Sequence, residues 1–243
     1  MNRVQAQSGM SGLSGVIDIH THSSPDNTAR SIGVIELAKL AKERGMRGLV
    51  IKSHNEPTAS LAYIVRQLVP GLEVFGGIAM DLSNGGINPA AVENMTKVTG
   101  KLGRIVWMPT FDSEASVKMV PGATRRPFVS VVQQGQLLPA VKNVLAIIAA
   151  NDLVLATGHL SAEEVLLVVR EATAHGVGHI VVTHAMNNPT RMTVAQMKEA
   201  ASFGAYIEFC YLSTLGERPR ASAAEMARAM REVGPAHSIM STD

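Results

Sequence analysis

Cysteine is nearly missing from these 243 residues: Cys210 stands alone, which excludes an internal disulfide framework and fits a reducing compartment. It reads as a buried thiol. An excess of one charge is missing too, with 22 Lys+Arg against 20 Asp+Glu and a net charge of +2. Nucleic-acid binding demands a basic field, and none is present. Although 46% of the chain is hydrophobic, no apolar run reaches the roughly 18 residues a membrane span needs. The stretch Met1–Gly15 is rich in Ser, Gly and Gln, lacks the apolar core of a signal peptide, and reads as a flexible arm before a single domain over 16–243. No GxGxxG opens a helix and no GxSxG follows a strand, which removes the dinucleotide fingerprint and the serine nucleophile elbow. No internal repeat stands out. What is left is a cytoplasmic protein whose partner is a small molecule, with a homo-oligomer left open.

What the chain does have is alternation. Apolar strand patterns over 16–20, 47–52, 73–80, 104–108, 153–157, 179–183, 205–209 and 238–241 are interleaved with helical patterns over 31–45, 58–68, 89–98, 139–150, 162–174, 194–203 and 223–233. Ser31 is the expected N-cap of the first helix and Gly45 its stop. Eight strands alternating with seven helices predict an α/β fold, a parallel (β/α)8 TIM-like barrel whose last helix is absent from the sequence. The longest irregular stretch runs over 110–136, a length usually reserved for function or mobility.

In such a barrel the catalytic groups gather where strands end. The first strand pattern ends in Asp18-Ile19-His20-Thr21-His22, and alternate strand residues share a face, so His20 and His22 are expected to converge as half of a metal site. The other strand ends supply Lys52 and His54, Asp81, Thr110 and Asp112, His159, His184, Tyr211 and Asp243. Five of the eight histidines fall at this one face, while His175, His179 and His237 lie elsewhere.

With these residues in barrel register, the chain resembles the amidohydrolase superfamily of metal-dependent hydrolases. The resemblance is carried by His20-Thr21-His22, by His159 in Ala156-Thr157-Gly158-His159, by His184 in Val181-Val182-Thr183-His184 and by Asp243 in Ser241-Thr242-Asp243. It implies that these histidines and Asp243 bind one or two divalent metal ions, and that Asp243 also shuttles a proton from the attacking water. Neutral imidazoles suit zinc, iron, nickel and cobalt; zinc is the first expectation, with iron or manganese as alternatives. A metal of this kind lowers the pKa of bound water to near 7, and Asp243 can accept that proton and return it to a leaving group.

The chain departs from the family pattern after strand four, where Arg104-Ile105-Val106-Trp107-Met108-Pro109 offers neither the bridging lysine nor the glutamate of two-metal members. Strand two instead presents Lys52 and His54. A histidine here, with an acid after strand three, is similar to the polymerase-and-histidinol-phosphatase barrels. His54 is expected to ligate, with a hydrogen bond to substrate or loop as the alternative. Lys52 reads as a catalytic residue that binds an anionic substrate, polarises a carbonyl or forms a carbamate, against an amine that snorkels to solvent. Asp81 is read as a ligand, a group orienting a histidine, or a turn residue. Asp112 and Glu114 face the same choice, and Glu56 is left outside the site. Arg125 and Arg126 are either substrate-binding forks or solvated loop residues. Trp107 is expected to pack in the core.

The leading expectation is therefore a metal-dependent hydrolase cleaving an amide, lactone or related ester bond of a small molecule, with His20, His22, His54, His159, His184 and Asp243 as metal residues. An iron-dependent oxygenase or a phosphoesterase on the same site is the alternative. A non-enzymatic metal-binding barrel, needing a closed coordination sphere, is the third.

Overall fold

The eight apolar segments form parallel strands joined edge to edge around one barrel. The computed structural model describes residues 11–122, 126–217 and 219–243. The strands are β1 (Ile17–Thr21), β2 (Gly48–Ile51), β3 (Glu73–Ala79), β4 (Gly103–Trp107), β5 (Val154–Ala156), β6 (His179–Val182), β7 (Tyr206–Cys210) and β8 (Ser238–Ser241). Each pairs in parallel with the next. The seam between β8 and β1 closes without a ladder: the Asp243 N–H donates to the His20 carbonyl at 2.9 Å, and the Thr242 hydroxyl donates to Asp18 Oδ2 at 2.6 Å. This seam carries the first and last expected site residues side by side.

The helices are α1 (Val34–Glu43), α2 (Ala59–Leu68), α3 (Pro89–Lys97), α4 (Glu114–Met119), α5 (Pro139–Ala150), α6 (Ala162–Ala174), α7 (Val194–Ser202) and α8 (Ala223–Val233). Each of the seven connections between successive strands carries a helix, as expected, with α4 and α5 sharing the one between β4 and β5, and no α-helix follows β8 in this sequence. Helices α6, α7 and α8 begin with reciprocal capping boxes, Ser161 with Glu164, Thr193 with Gln196 and Ser222 with Glu225. Each satisfies two otherwise orphaned backbone donors. The first helix departs from expectation. Gly33, not Ser31, is its N-cap, because residues 24–32 are drawn into a loop closed by Ser24 N–H to the Ile32 carbonyl at 2.9 Å and Val34 N–H to the Ser24 carbonyl at 2.8 Å. The irregular stretch over 110–136 also holds more order than its composition suggests: α4, capped by Ser113, and a short antiparallel hairpin of Val132–Gln133 with Gln136–Leu137.

Alternate strand residues split the core into two layers. Outward-facing Ile78, Val106, Leu155, Val182 and Phe209 pack under the helices, and Val50, Ala79, Ile105, Trp107, Ala156 and Val181 fill the barrel. Gly77 is required here, since a Cβ at that position would meet the Ile105 carbonyl oxygen at 2.2 Å and the Trp107 ring at 2.5 Å. The bare backbone leaves room for the Trp107 ring, which lies under Lys52 and beside His20. Among the described residues no helix is long and apolar enough to cross a membrane. Of the expected N-terminal arm, residues 1–10 lie outside the described residues; Ser11–Leu13 form a 3-10 turn and the Gly15 N–H reaches the Gly45 carbonyl at 3.0 Å.

Candidate functional site

Five imidazoles gather above Trp107 at the ends of the strands. Ring centroids lie 5.3 Å apart for His20 and His22, 4.8 Å for His22 and His54, 5.7 Å for His54 and His159, 4.7 Å for His159 and His184, and 6.2 Å for His184 and His20. Asp243 reaches into the same group, its Oδ1 3.0 Å from His20 Nε2 and 3.4 Å from His22 Nε2. Ligand atoms of His20, His22 and Asp243 all lie within 4.8 Å of one another. Strand parity alone does not produce this: the register between β1 and β2 shifts between Asp18 and Thr21. That bulge lets Ile19 pack in the barrel interior while His20 also turns inward. Two members sit on left-handed backbone, His184 at φ 28° and Asp243 at φ 68°, conformations that non-glycine residues adopt at a cost and that concentrate at functional sites.

His20 is the hub. Its Nδ1 lies 3.1 Å from Glu208 Oε1, and its Nε2 lies 2.9 Å from Lys52 Nζ as well as beside Asp243. Glu208 also accepts from the His184 N–H at 3.0 Å and the Ser241 hydroxyl at 2.9 Å, so one buried carboxylate ties β1, β6 and β8 together. Burial and the charge of Lys52 oppose a proton on His20, but Glu208 and Asp243 outweigh them and push its pKa up to about 9. Burial raises the Glu208 carboxyl, yet His20 and its hydrogen bonds bring it down to about 2. For Asp243 too burial works against ionisation, and His20, His22 and Lys52 outweigh it, holding the carboxyl far below the usual range. Burial pulls His22 and His184 down to about 4 and holds His54 and His159 well below the ordinary imidazole value. These four rings are therefore neutral, the state that can donate a lone pair to a metal.

A cation fits this donor set. The buried Nδ1 atoms of His22 and His184 have no hydrogen-bond partner among the described residues, and buried polar atoms without partners are rare enough to require an explanation. Two carboxylates flanking one buried imidazole, with neutral imidazoles around them, make a site where positive charge is stabilised. Cys210 Sγ also approaches His20 Nδ1, at 3.9 Å. Burial, Glu208 and Asp243 push its pKa well up, so it remains a buried thiol.

His54 is oriented from behind. Asp81 accepts from the Thr110 N–H at 2.8 Å, from the Asp112 N–H at 3.0 Å and from the Thr110 hydroxyl. With its proton given to Asp81, Thr110 Oγ1 accepts from His54 Nδ1 at 2.6 Å, which assigns the Nδ1–H tautomer and leaves Nε2 as a free acceptor. Phe111 stacks on the other side of the ring, centroids 3.8 Å apart. Of the three readings of Asp81, then, the structure supports the orienting one.

Other expectations resolve individually. Lys52 does not snorkel; it is 1% exposed, with Nζ 5.3 Å from the Trp107 ring centroid, and burial pulls its pKa down. Trp107 packs in the core, as expected. Arg126 pairs with Asp112, Glu114 with Lys118 and Ser130, and Arg125 lies outside the described residues. Glu56 is exposed. Tyr211, 51% exposed, lines a groove outside the barrel seam with Val16, Leu40 and Met240 and is not among the gathered rings. Glu208 was not singled out from the sequence, although an acid within the apolar run Tyr206-Ile207-Glu208-Phe209-Cys210 is itself a signal, because a buried charge must be partnered.

The rings open onto a cavity of about 480 Å³ lined by His22, Arg30, His54, Phe111, Leu212 and Asp243 among others. Solved structures share this architecture. An organophosphorus hydrolase from Deinococcus radiodurans superposes with a TM-score of 0.59 at 13% identity, covering 96% of this chain and 76% of that one. An amidohydrolase from Pseudomonas aeruginosa gives 0.61 at 12% identity, over 95% and 74% of the two chains. A weak promiscuous lactonase template engineered for organophosphate hydrolysis gives 0.61 at 14% identity, over 96% and 79%. At these identities the likeness shows the fold alone, a parallel (β/α)8 barrel. No curated protein matches the sequence. A family model described as a family of unknown function, DUF6282, matches residues 15–208, a span that includes His20, His22, His54, His159, His184 and Glu208, and the chain belongs to that family.

Proposed function

We propose that this protein is a metal-dependent hydrolase that cleaves an amide, lactone or related ester bond of a small molecule. The observation that carries the reading is the cluster of His20, His22 and Asp243, whose ligand atoms all lie within 4.8 Å of one another, with the His159 and His184 rings packed beside it and the buried Nδ1 atoms of His22 and His184 lacking any partner among the described residues. The structural neighbours, an organophosphorus hydrolase, an amidohydrolase and an engineered lactonase template, support it. These five residues would hold a divalent ion, zinc by the chemistry of the donors, with His54 as a sixth participant through its free Nε2. When bound, such an ion acidifies water and polarises a carbonyl.

The remaining work falls to the chain. Asp243, deprotonated and facing the cavity, accepts the proton of the attacking water and returns it to the leaving group. Glu208 holds His20 so that Nε2 faces the centre, and Lys52, which lies beneath the rings instead of lining the cavity, acts on Asp243 and His20 through its charge. Phe111 and Leu212 provide an apolar wall for the substrate body. Elemental analysis of protein purified without added metal, followed by assay on a panel of lactones, amides and aryl esters before and after chelation, tests the proposal. Zinc with hydrolysis lost on chelation and restored by the metal is expected. Iron with oxygen-dependent turnover, or phosphate release from a monoester without carboxyl-ester cleavage, would replace it.

A further inference from the structure

Arg30 is built into the cavity wall in a way that metal ligation does not explain. It follows β1 in the loop closed by Ser24, Ile32 and Val34, and the loop is tied to the neighbouring strand end by Asn55 Nδ2 donating to Asn27 Oδ1 at 2.8 Å. Within it, Arg30 Nε and Nη2 both donate to Asp26 Oδ2, at 3.0 and 2.9 Å. The Asp26 side chain is 1% exposed and that of Arg30 15%, so the guanidinium is held at the cavity edge. Asp26 engages only the Nε/Nη2 edge. The opposite edge, where Nη1 and Nη2 present two parallel N–H groups, has no partner among the described residues. That edge is the fork that matches a carboxylate in two parallel hydrogen bonds.

The rest of the lining agrees on charge. Asp243 is its only acid among the described residues, and Arg220 is a second guanidinium. A cavity with one carboxylate, already engaged by His20 and His22, and two arginines favours an anionic ligand. Phe111, Met119 and Leu212 suit an apolar segment between its two ends.

We infer that the substrate carries a carboxylate remote from the scissile bond and that Arg30, held by Asp26, binds it. This rests on the hydrolase reading above. The test compares two esters of similar length on the zinc-loaded full chain, mono-4-nitrophenyl glutarate, which carries a carboxylate, and 4-nitrophenyl pentanoate, which does not. Two charge-assisted hydrogen bonds predict a kcat/KM ratio of about 30 in favour of the glutarate ester. Arg30→Met should collapse that ratio toward unity, and Arg30→Lys should keep part of it, since it retains charge but loses the fork. Unchanged metal content and far-ultraviolet circular dichroism show that each variant has folded.

A second readout needs no turnover. Calorimetric binding of glutarate to the zinc-loaded protein should weaken about 30-fold in Arg30→Met. A wild-type ratio near unity, or glutarate affinity indifferent to Arg30, overturns the inference. Tighter Arg30-dependent binding of inorganic phosphate than of glutarate overturns the assignment of a carboxylate. If neither ester is cleaved while glutarate still binds through Arg30, the anion site stands and the hydrolase reading fails.

Discussion

Glu208 and His20 form a buried carboxylate–imidazole pair across 3.1 Å, 188 residues apart in sequence. Because Glu208 accepts the hydrogen bond from His20 Nδ1–H, it is Nε2 that faces the centre and offers its lone pair once deprotonated, and partners of this kind typically matter about 10- to 100-fold in metal affinity. Glu208→Gln keeps an acceptor but removes the charge, so zinc affinity should fall about tenfold in a competitive chelator titration. Glu208→Ala leaves His20, the His184 N–H and the Ser241 hydroxyl without their acceptor, and should additionally lower thermal stability. Undiminished zinc affinity in both variants would remove Glu208 from the site.

Metal uptake should depend on pH through His20. In the metal-free protein Glu208 and Asp243 hold its proton up to a pKa of about 9, above the ordinary 6.5. The stability this proton contributes is thus fully present below pH 6.5 and is lost as pH rises through 9. A ligand must shed its proton to bind metal, so between pH 7 and 9 zinc affinity should rise about tenfold per unit, with one proton released per ion. The metal-free protein should lose stability over the same window while the zinc form does not. Calorimetry in buffers of different ionisation enthalpy counts the proton, and a flat affinity would contradict the pairing.

Thr110 and Asp81 touch no reacting atom in this arrangement; they position His54. Thr110→Val removes the acceptor for His54 Nδ1–H and leaves Asp81 without its hydroxyl donor, freeing the ring to change tautomer. We expect kcat/KM to fall about tenfold, Thr110→Ser to restore it, and the ¹⁵N shifts of His54 to lose the pattern of a single Nδ1–H tautomer in the valine variant. Tautomer shifts unchanged in Thr110→Val would show that Thr110 does not set the His54 tautomer.

The barrel was legible because its strands are short apolar runs and its helices end in recognisable residues. The patterns over 139–150, 162–174 and 223–233 coincide with α5, α6 and α8 to the residue, the last two opening on Ser161 and Ser222, whose capping boxes can be read directly from sequence. His159, His184 and Asp243 were found for the same reason, as polar residues immediately beyond apolar strands. Glu208 was missed because it lies inside a strand, where an acid between Ile207 and Phe209 looks like an exception to the pattern; only its inward partner His20 explains it. Asp26 and Arg30, four residues apart, could have passed for a helical ion pair or a solvated turn. What sets them in the cavity wall is the Ser24–Ile32 closure, a contact between segments that local periodicity does not encode. The order within residues 110–136 was hidden similarly, since α4 is only six residues long.

Asp243 is the residue whose replacement separates binding from chemistry. It sits at φ 68°, a conformation that Asn tolerates about as well as Asp, so Asp243→Asn adds no backbone strain. The amide oxygen can still accept from His20 and His22, and the ligand set keeps its four imidazoles, so most of the zinc should stay bound. What is lost is a carboxylate able to take a proton from water and pass it on, a role worth about 10² to 10⁴ in rate. The expected result is therefore near-stoichiometric zinc by elemental analysis with kcat reduced by about that factor. Near-normal hydrolysis by the zinc-bound variant would show that another group moves the proton, and His54, with its free Nε2 at the cavity wall, would be the residue to substitute next.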